Sequence, residues 1–184
     1  NRTCPDHGDF SYLYWDDADA WRRYEAFGVK GSGLANPQVV KDISSCPYDC
    51  GICNNHKSTT LLANVDLTNR CNLNCSFCFA NARACGYIYE PSYDQIKDML
   101  TILRSEKPTP APAVQFAGGE PTLREDLFEI IRLAKSLGFM QVQLATNGLI
   151  LAQDPDYALR LKDAGLSTVY LHFDGVSKET NFKL

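Results

Sequence analysis

Six of the eight cysteines in this 184-residue chain fall into two short clusters with the same spacing. Cys46, Cys50 and Cys53 form one Cys-x3-Cys-x2-Cys triplet, and Cys71, Cys75 and Cys78 form the other. Thiols this close in sequence suit a shared metal centre better than the separate disulfides that an even count would also allow. They point to a reducing or anaerobic cytoplasm. Three nearby thiolates leave a cubic iron–sulfur cluster one iron short of a protein ligand, with four-Cys ligation as the reference. An iron left open in this way can hold a substrate or cofactor. The competing reading of Cys71, Cys75 and Cys78 is a structural zinc knuckle completed by Cys85 or His56. Zinc is equally the alternative at Cys46, Cys50 and Cys53. Cys4-Pro5-Asp6-His7-Gly8 reads as a tight knuckle, in which Cys4 is either a ligand of a mononuclear iron or zinc site or a buried free thiol.

Composition narrows the classes. Lys and Arg total 18 against 22 Asp and Glu, a net charge of −4, with 45% hydrophobic residues. That is the balance of a globular protein with a core, and it argues against a surface built to grip nucleic acid. No apolar run reaches the roughly 20 residues of a membrane span, and no signal peptide is visible. Nothing in the sequence forms an amphipathic membrane anchor. The chain lacks an initiator Met, so a longer natural protein is expected.

The elements that must position the cysteines divide into two zones. Residues 1–60 read as irregular and Cys-rich, with an aromatic strand over 10–15 and a helix capped by Asp16 or Asp17 that carries Trp21, Tyr24 and Phe27. From residue 61 the pattern becomes regular. Strands are expected at 61–67, 113–117, 142–145 and 168–173, and helices open at Pro91-Ser92, around 127–137 and around 157–161. Gly138 and Gly165 are the stops of the last two helices. Strands alternating with helices mean a parallel sheet with crossover helices. A closed eight-unit barrel takes about 250 residues, so this stretch holds about half of one, from its first strand to its fourth. The expected fold class is α/β: a partial (βα) TIM-like barrel preceded by an irregular Cys-rich metal-binding region. Cys71, Cys75 and Cys78 then sit in the loop after the first barrel strand, at the end of the sheet where parallel α/β folds bind ligands.

These residues resemble the radical S-adenosylmethionine (SAM) enzymes. Cys71-x3-Cys75-x2-Cys78, with Phe77 before the last cysteine, looks like that superfamily's cluster motif. Gly118-Gly119-Glu120-Pro121 after the second strand, Thr146-Asn147-Gly148 after the third and His172-Phe173-Asp174-Gly175 after the fourth are similar to the segments that follow in the same order. The resemblance implies a [4Fe-4S] cluster on Cys71, Cys75 and Cys78, with SAM chelating the open iron. It implies that Gly118 and Gly119 let the backbone approach SAM, that Phe77 and its neighbours meet the adenine, and that Asn147 and Asp174 serve the ribose hydroxyls. Glu120 is expected either to place charge near SAM or to brace the loop, and His172 is as readily a packing residue as a contact. Reduction of the cluster then yields a 5′-deoxyadenosyl radical, from an electron donor of ferredoxin or flavodoxin type.

Within the superfamily the chain most resembles the archaeal tetraether lipid synthases and their relatives, through Cys4-Pro5-Asp6-His7-Gly8, the Cys46–Cys53 segment, Asp66–Ala82, Gln115–Thr122 and Tyr170–Gly175. That resemblance implies an auxiliary [4Fe-4S] cluster on Cys46, Cys50 and Cys53, a rubredoxin-like iron or zinc at Cys4, and radical coupling of terminal methyl carbons of isoprenoid lipid chains. A lipid substrate would bring peripheral membrane contact. The other enzymatic reading is a radical SAM methylase or alkylating relative acting on a pterin-like or other small molecule. The non-enzymatic reading is a multi-zinc binding module.

Overall fold

Apolar side chains alternate at Val65 and Leu67 in β3 (Leu62–Thr68), which buries them on one face and leaves Asn64 and Asp66 exposed on the other. The computed structural model describes residues 2–13, 15–28, 31, 33–36, 56–80, 82 and 85–178. Cys46, Cys50 and Cys53 lie outside the described residues. Two compact units are distinguished, Asn1–Gly31 and Ser32–Leu184.

The first unit holds a hairpin of β1 (Arg2–Cys4) and β2 (Gly8–Phe10), followed by α1 (Ala18–Ala26). Asp17 caps α1 by accepting from the Asp19 and Ala20 amides. The aromatic strand expected over 10–15 stops at Phe10. Phe10 pairs with Arg2, and residues 11–13 find no partner strand among the described residues. The Trp15 ring instead packs on Trp21 and Tyr24, at centroid distances of 5.6 and 5.9 Å.

In the second unit, α2 (Tyr93–Ser105) starts at Ser92 with a capping box completed by Gln95. There follow β4 (Ala113–Gly118), a short 3-10 turn (Pro121–Leu123), α3 (Leu127–Ser136), β5 (Gln141–Thr146), α4 (Leu149–Gln153), α5 (Tyr157–Ala164) and β6 (Thr168–Leu171). Gly138 follows α3 with a φ of 89° and Gly165 caps α5 with a φ of 105°, conformations in which glycine is not strained. The helix α4 was not expected. At five residues it is too short to show a helical period.

All neighbouring strands of the sheet are parallel, in the order β3-β4-β5-β6. Val65, Leu67, Val114, Phe116, Val142 and Leu144 on one sheet face meet Ile96 and Leu100 of α2, Ile130 and Ile131 of α3 and Leu161 of α5. This is the α/β parallel sheet with crossover helices that the alternation of elements implies. The unit also reaches back before residue 61. Asn36 exchanges hydrogen bonds with the end of α2, donating to the Ser105 carbonyl (2.7 Å) and accepting from the Lys107 amide (2.6 Å). The Gly33 amide donates to the Lys57 carbonyl.

Phe116 is fully buried at the centre of this core. Replacing it with alanine leaves a cavity that the neighbours fill only in part. The expected loss for Phe116→Ala is about 3–5 kcal/mol of unfolding free energy, read from the denaturant midpoint of the metal-free protein.

Candidate functional site

The cysteine loop leaves the sheet at Thr68. Cys71 and Cys75 are half-buried, Cys78 is exposed, and all three are free thiols. The Cys78 amide donates to the Cys75 carbonyl (3.2 Å), which folds the second half of the motif into a tight turn. The Leu73 amide donates to the Cys71 sulfur (3.4 Å), which turns the chain back over the first cysteine. Burial pushes the Cys75 thiol up, and the neighbouring Cys71, Cys78 and Asp174 push it further. A thiol pushed up in this way is held as a thiolate by a nearby cationic centre. Among the described residues no group of three His, Cys, Asp or Glu side chains is gathered to hold a metal ion. In its chemistry, the donor set of three free thiols in one loop at the carboxyl end of a parallel strand suits an iron–sulfur cluster.

The Gly-Gly-Glu loop after β4 lies directly against the chain leading into those cysteines. The Gly119 amide donates to the Thr68 carbonyl and the Glu120 amide to the Arg70 carbonyl, both at 2.7 Å. Gly118 has a φ of 125°, and a Cβ there would stand 2.2 Å from the Thr68 carbonyl oxygen. A Cβ on Gly119 would stand 2.2 Å from the Arg70 carbonyl oxygen. Both obstacles are backbone, so neither can swing aside. The structure thus gives these glycines a second, internal reason: two strand ends meet backbone to backbone.

Glu120 is fully buried, and its carboxylate is spent on bracing. Its Oε1 accepts from the Thr122 amide, the Thr122 hydroxyl and the Thr146 hydroxyl (3.1, 2.5 and 2.7 Å), and its Oε2 accepts from the Asn147 amide (2.8 Å). The ends of β4 and β5 are therefore tied through one side chain. Asn147 carries the tie onward. Its Nδ2 donates to the Asn72 Oδ1 (2.7 Å), inside the cysteine loop, and its Oδ1 accepts from the Leu149 amide at the start of α4. Asp174 pairs with His172 (2.6 Å) beyond β6. Phe77 presents an exposed ring beside the cysteines.

Sequence reasoning missed the residues that fasten the loop from outside. Thr68 and Arg70 both donate to the Glu90 carboxylate, at 2.7 Å from Thr68 and 2.8 and 3.1 Å from Arg70. Arg124, itself buried, donates to the Leu67 and Pro91 carbonyls and forms a two-pronged pair with Asp126 (2.8 and 2.7 Å). Asn69 binds the following segment, donating to the Cys85 sulfur and the Tyr87 carbonyl and accepting from the Tyr89 amide. A cavity of about 400 Å³ lies between the two, lined in part by Asn69, Cys71, Ala82 and Tyr87. No local spacing announces these pairs, because the partners lie up to 57 residues apart. Of the unassigned thiols, Cys85 is held in this hydrogen-bond set, and Cys4 lies 3.2 Å from the His7 Nδ1 within the hairpin of the first unit. His56 is exposed and contacts Ser58.

The profile of the Radical SAM superfamily matches residues 65–184. The chain belongs to this superfamily. Membership implies a four-iron cluster and SAM, and such a cluster, when bound and reduced, would supply the electron for reductive cleavage of SAM. Among named relatives, the chain is 54% identical over 178 residues to the 7,8-dihydro-6-hydroxymethylpterin dimethyltransferase of Methanocaldococcus jannaschii, covering 97% of this chain and 34% of that protein. It is 38% identical over 118 residues to the Fe-coproporphyrin III synthase of Methanosarcina barkeri, covering 64% and 28%. It is 38% identical over 120 residues to a probable GTP 3′,8-cyclase of Saccharolobus islandicus, covering 65% and 37%. The chain thus spans about a third of the length of these relatives. Among solved structures, methylornithine synthase is similar in fold, with a TM-score of 0.54 at 20% identity over 68% of this chain and 36% of that one. The superfamily expected from the sequence stands. One relative matched across almost the whole chain is named for a pterin, which favours the pterin-type alternative over the nearer resemblance to lipid synthases.

Gly119→Ala is expected to displace the Arg70 carbonyl and with it the approach to Cys71. After anaerobic reconstitution the variant should lose up to about half of the wild-type iron, the share of one of two four-iron clusters, with far-ultraviolet circular dichroism unchanged. The outer clamps also predict a pH dependence. At Glu90 burial pushes the carboxyl up, but the hydrogen bonds from Arg70 and Thr68 and the charges of Arg70 and Arg124 outweigh it and leave the pKa lowered. At Asp126 the Arg124 hydrogen bonds, with its charge, prevail over burial in the same direction. A carboxylate with a lowered folded-state pKa stabilises the fold above its ordinary value and loses that contribution as pH falls through the folded one. The urea midpoint of metal-free protein should therefore hold near neutrality and fall below the ordinary values of 4.5 and 3.8. Glu90→Gln should make that fall shallower.

Proposed function

We propose that the protein is a radical SAM enzyme that methylates or otherwise alkylates a pterin-like small molecule. The observation that carries this reading is the 54% identity with a pterin dimethyltransferase across 97% of the chain. In this reading Cys71, Cys75 and Cys78 hold the SAM cluster. Gly118, Gly119, Asn147, Asp174 and Phe77 surround SAM, while Glu120 keeps the ends of β4 and β5 in register beneath it. Cys46, Cys50 and Cys53 hold an auxiliary cluster, and Cys4 with its hairpin belongs to a mononuclear iron or zinc site. A donor of ferredoxin or flavodoxin type delivers the electrons. The protein works in the cytoplasm, and among the described residues no helix is long and apolar enough to cross a membrane. Coupling of isoprenoid lipid chains keeps only the resemblance of its motifs in support.

The test uses full-length protein, reconstituted anaerobically and given SAM, a reductant and 6-hydroxymethyl-7,8-dihydropterin. The expected products are 5′-deoxyadenosine and a pterin heavier by whole methyl groups, and the triple Cys71→Ala, Cys75→Ala, Cys78→Ala variant should make neither. An unchanged pterin, with an archaeal lipid extract losing two hydrogens per joined pair of chains, would return the assignment to lipid coupling. Colourless protein with stoichiometric zinc would end both.

A further inference from the structure

The sheet has a second face, opposite the helices, and its chemistry is specific. Side chains alternate across a strand, so the residues between the buried core positions share this face. Strand register sets them in layers. Asn64 pairs with Gln115, Gln115 with Gln143, and Gln143 with Thr168. One step nearer the cysteine loop, Asp66 pairs with Ala117 and Ala145 with Tyr170. The Gln141 amide donates to the Thr168 hydroxyl, a contact that places both on this face. Among the described residues Asp66, Asn64, Gln115 and Gln143 make no side-chain hydrogen bond or ion pair; Asn64 and Asp66 are exposed, and Gln115 and Gln143 are half-buried. No Lys or Arg occurs in any of the four strands.

We propose that this face binds the substrate, a flat uncharged heterocycle with an N–H-rich edge, and that Asp66 is the residue that reads that edge. The inference rests on the pterin reading above and adds to it the recognising group. A 2-amino-4-oxopyrimidine edge offers two neighbouring N–H donors, which one carboxylate accepts as a pair of charge-assisted hydrogen bonds. Ala117 and Ala145 leave a low floor between Asp66 and Tyr170. Three strand spacings of about 4.8 Å give roughly 14 Å between them, room for a bicyclic ring. Gln115 and Gln143 offer amides to the carbonyl and ring nitrogens. The layer lies about 7 Å below Thr68 along the strand, directly under the cysteine loop and the Gly-Gly-Glu loop. The same face suits other cargo poorly. With no cation it offers nothing to a triphosphate or to propionate groups, and an isoprenoid chain would strip water from four unpaired polar side chains without replacing it.

The experiment measures equilibrium binding to full-length, SAM-loaded protein of two probes, 6-hydroxymethylpterin and 6-hydroxymethyllumazine, whose 2-oxo group replaces the 2-amino donor. Wild type should prefer the pterin by about 10-fold or more, the scale of hydrogen bonds to a charged group. Asp66→Asn should weaken the pterin to the level of the lumazine and leave the lumazine little changed, with iron content and circular dichroism as checks on folding. Ala117→Leu, which raises the floor, should weaken both probes alike. Pterin binding with the preference intact in Asp66→Asn would overturn the role of Asp66 alone. Full affinity for both probes in Ala117→Leu would overturn the face itself. Failure of wild type to bind either probe would overturn the pterin reading and this inference with it.

Discussion

Two backbone hydrogen bonds join the end of β3 to the end of β4, from the Gly119 amide to the Thr68 carbonyl and from the Glu120 amide to the Arg70 carbonyl. At 2.7 Å each, they hold two chains at a separation that excludes a Cβ. The cysteine loop begins one residue past this contact. Its position over the sheet is therefore fixed by main chain rather than by a side chain that could change rotamer. Where three thiolates must face one inorganic centre, small displacements of the loop matter, and a backbone clamp is the stiffest available restraint.

A buried carboxylate completes the clamp. Glu120 would be costly to bury unpaired, and it accepts four hydrogen bonds from Thr122, Thr146 and Asn147. The ends of β4 and β5 and, through Asn147 and Asn72, the cysteine loop itself form one connected polar set. On the outer side Arg70–Glu90 and Arg124–Asp126 fasten the same chain to the segment before α2 and to the turn before α3. The carboxyl end of the sheet is thus polar and tied, while the layer under the helices is apolar and interdigitated.

The regular elements were legible because each carries a periodic or capping signal. Ser92 and Gln95 announce α2, Gly165 ends α5, and the alternation in β3 matches its buried face. The aromatic run at 10–15 misled, since strand-like composition makes a strand only where a partner offers a ladder. The helix α4 was hidden by its shortness. At the site, the order of the motifs after successive strands was readable, and it located Cys71, Gly118, Asn147 and Asp174 at one end of one sheet.

By itself the sequence determined the identity and spacing of the loop thiols, the strand–helix alternation and the superfamily, because all three are encoded in residues near one another along the chain. Only the tertiary structure decided what Gly119, Glu120 and Asn147 touch, which arginine meets which carboxylate, and that Asp66, Gln115 and Gln143 share an open polar face. Apart from the local pairs Arg124–Asp126 and Glu120–Thr122, those facts depend on register and on partners 20 to 75 residues apart. A single side chain carries no local mark of the partner that folding will bring to it.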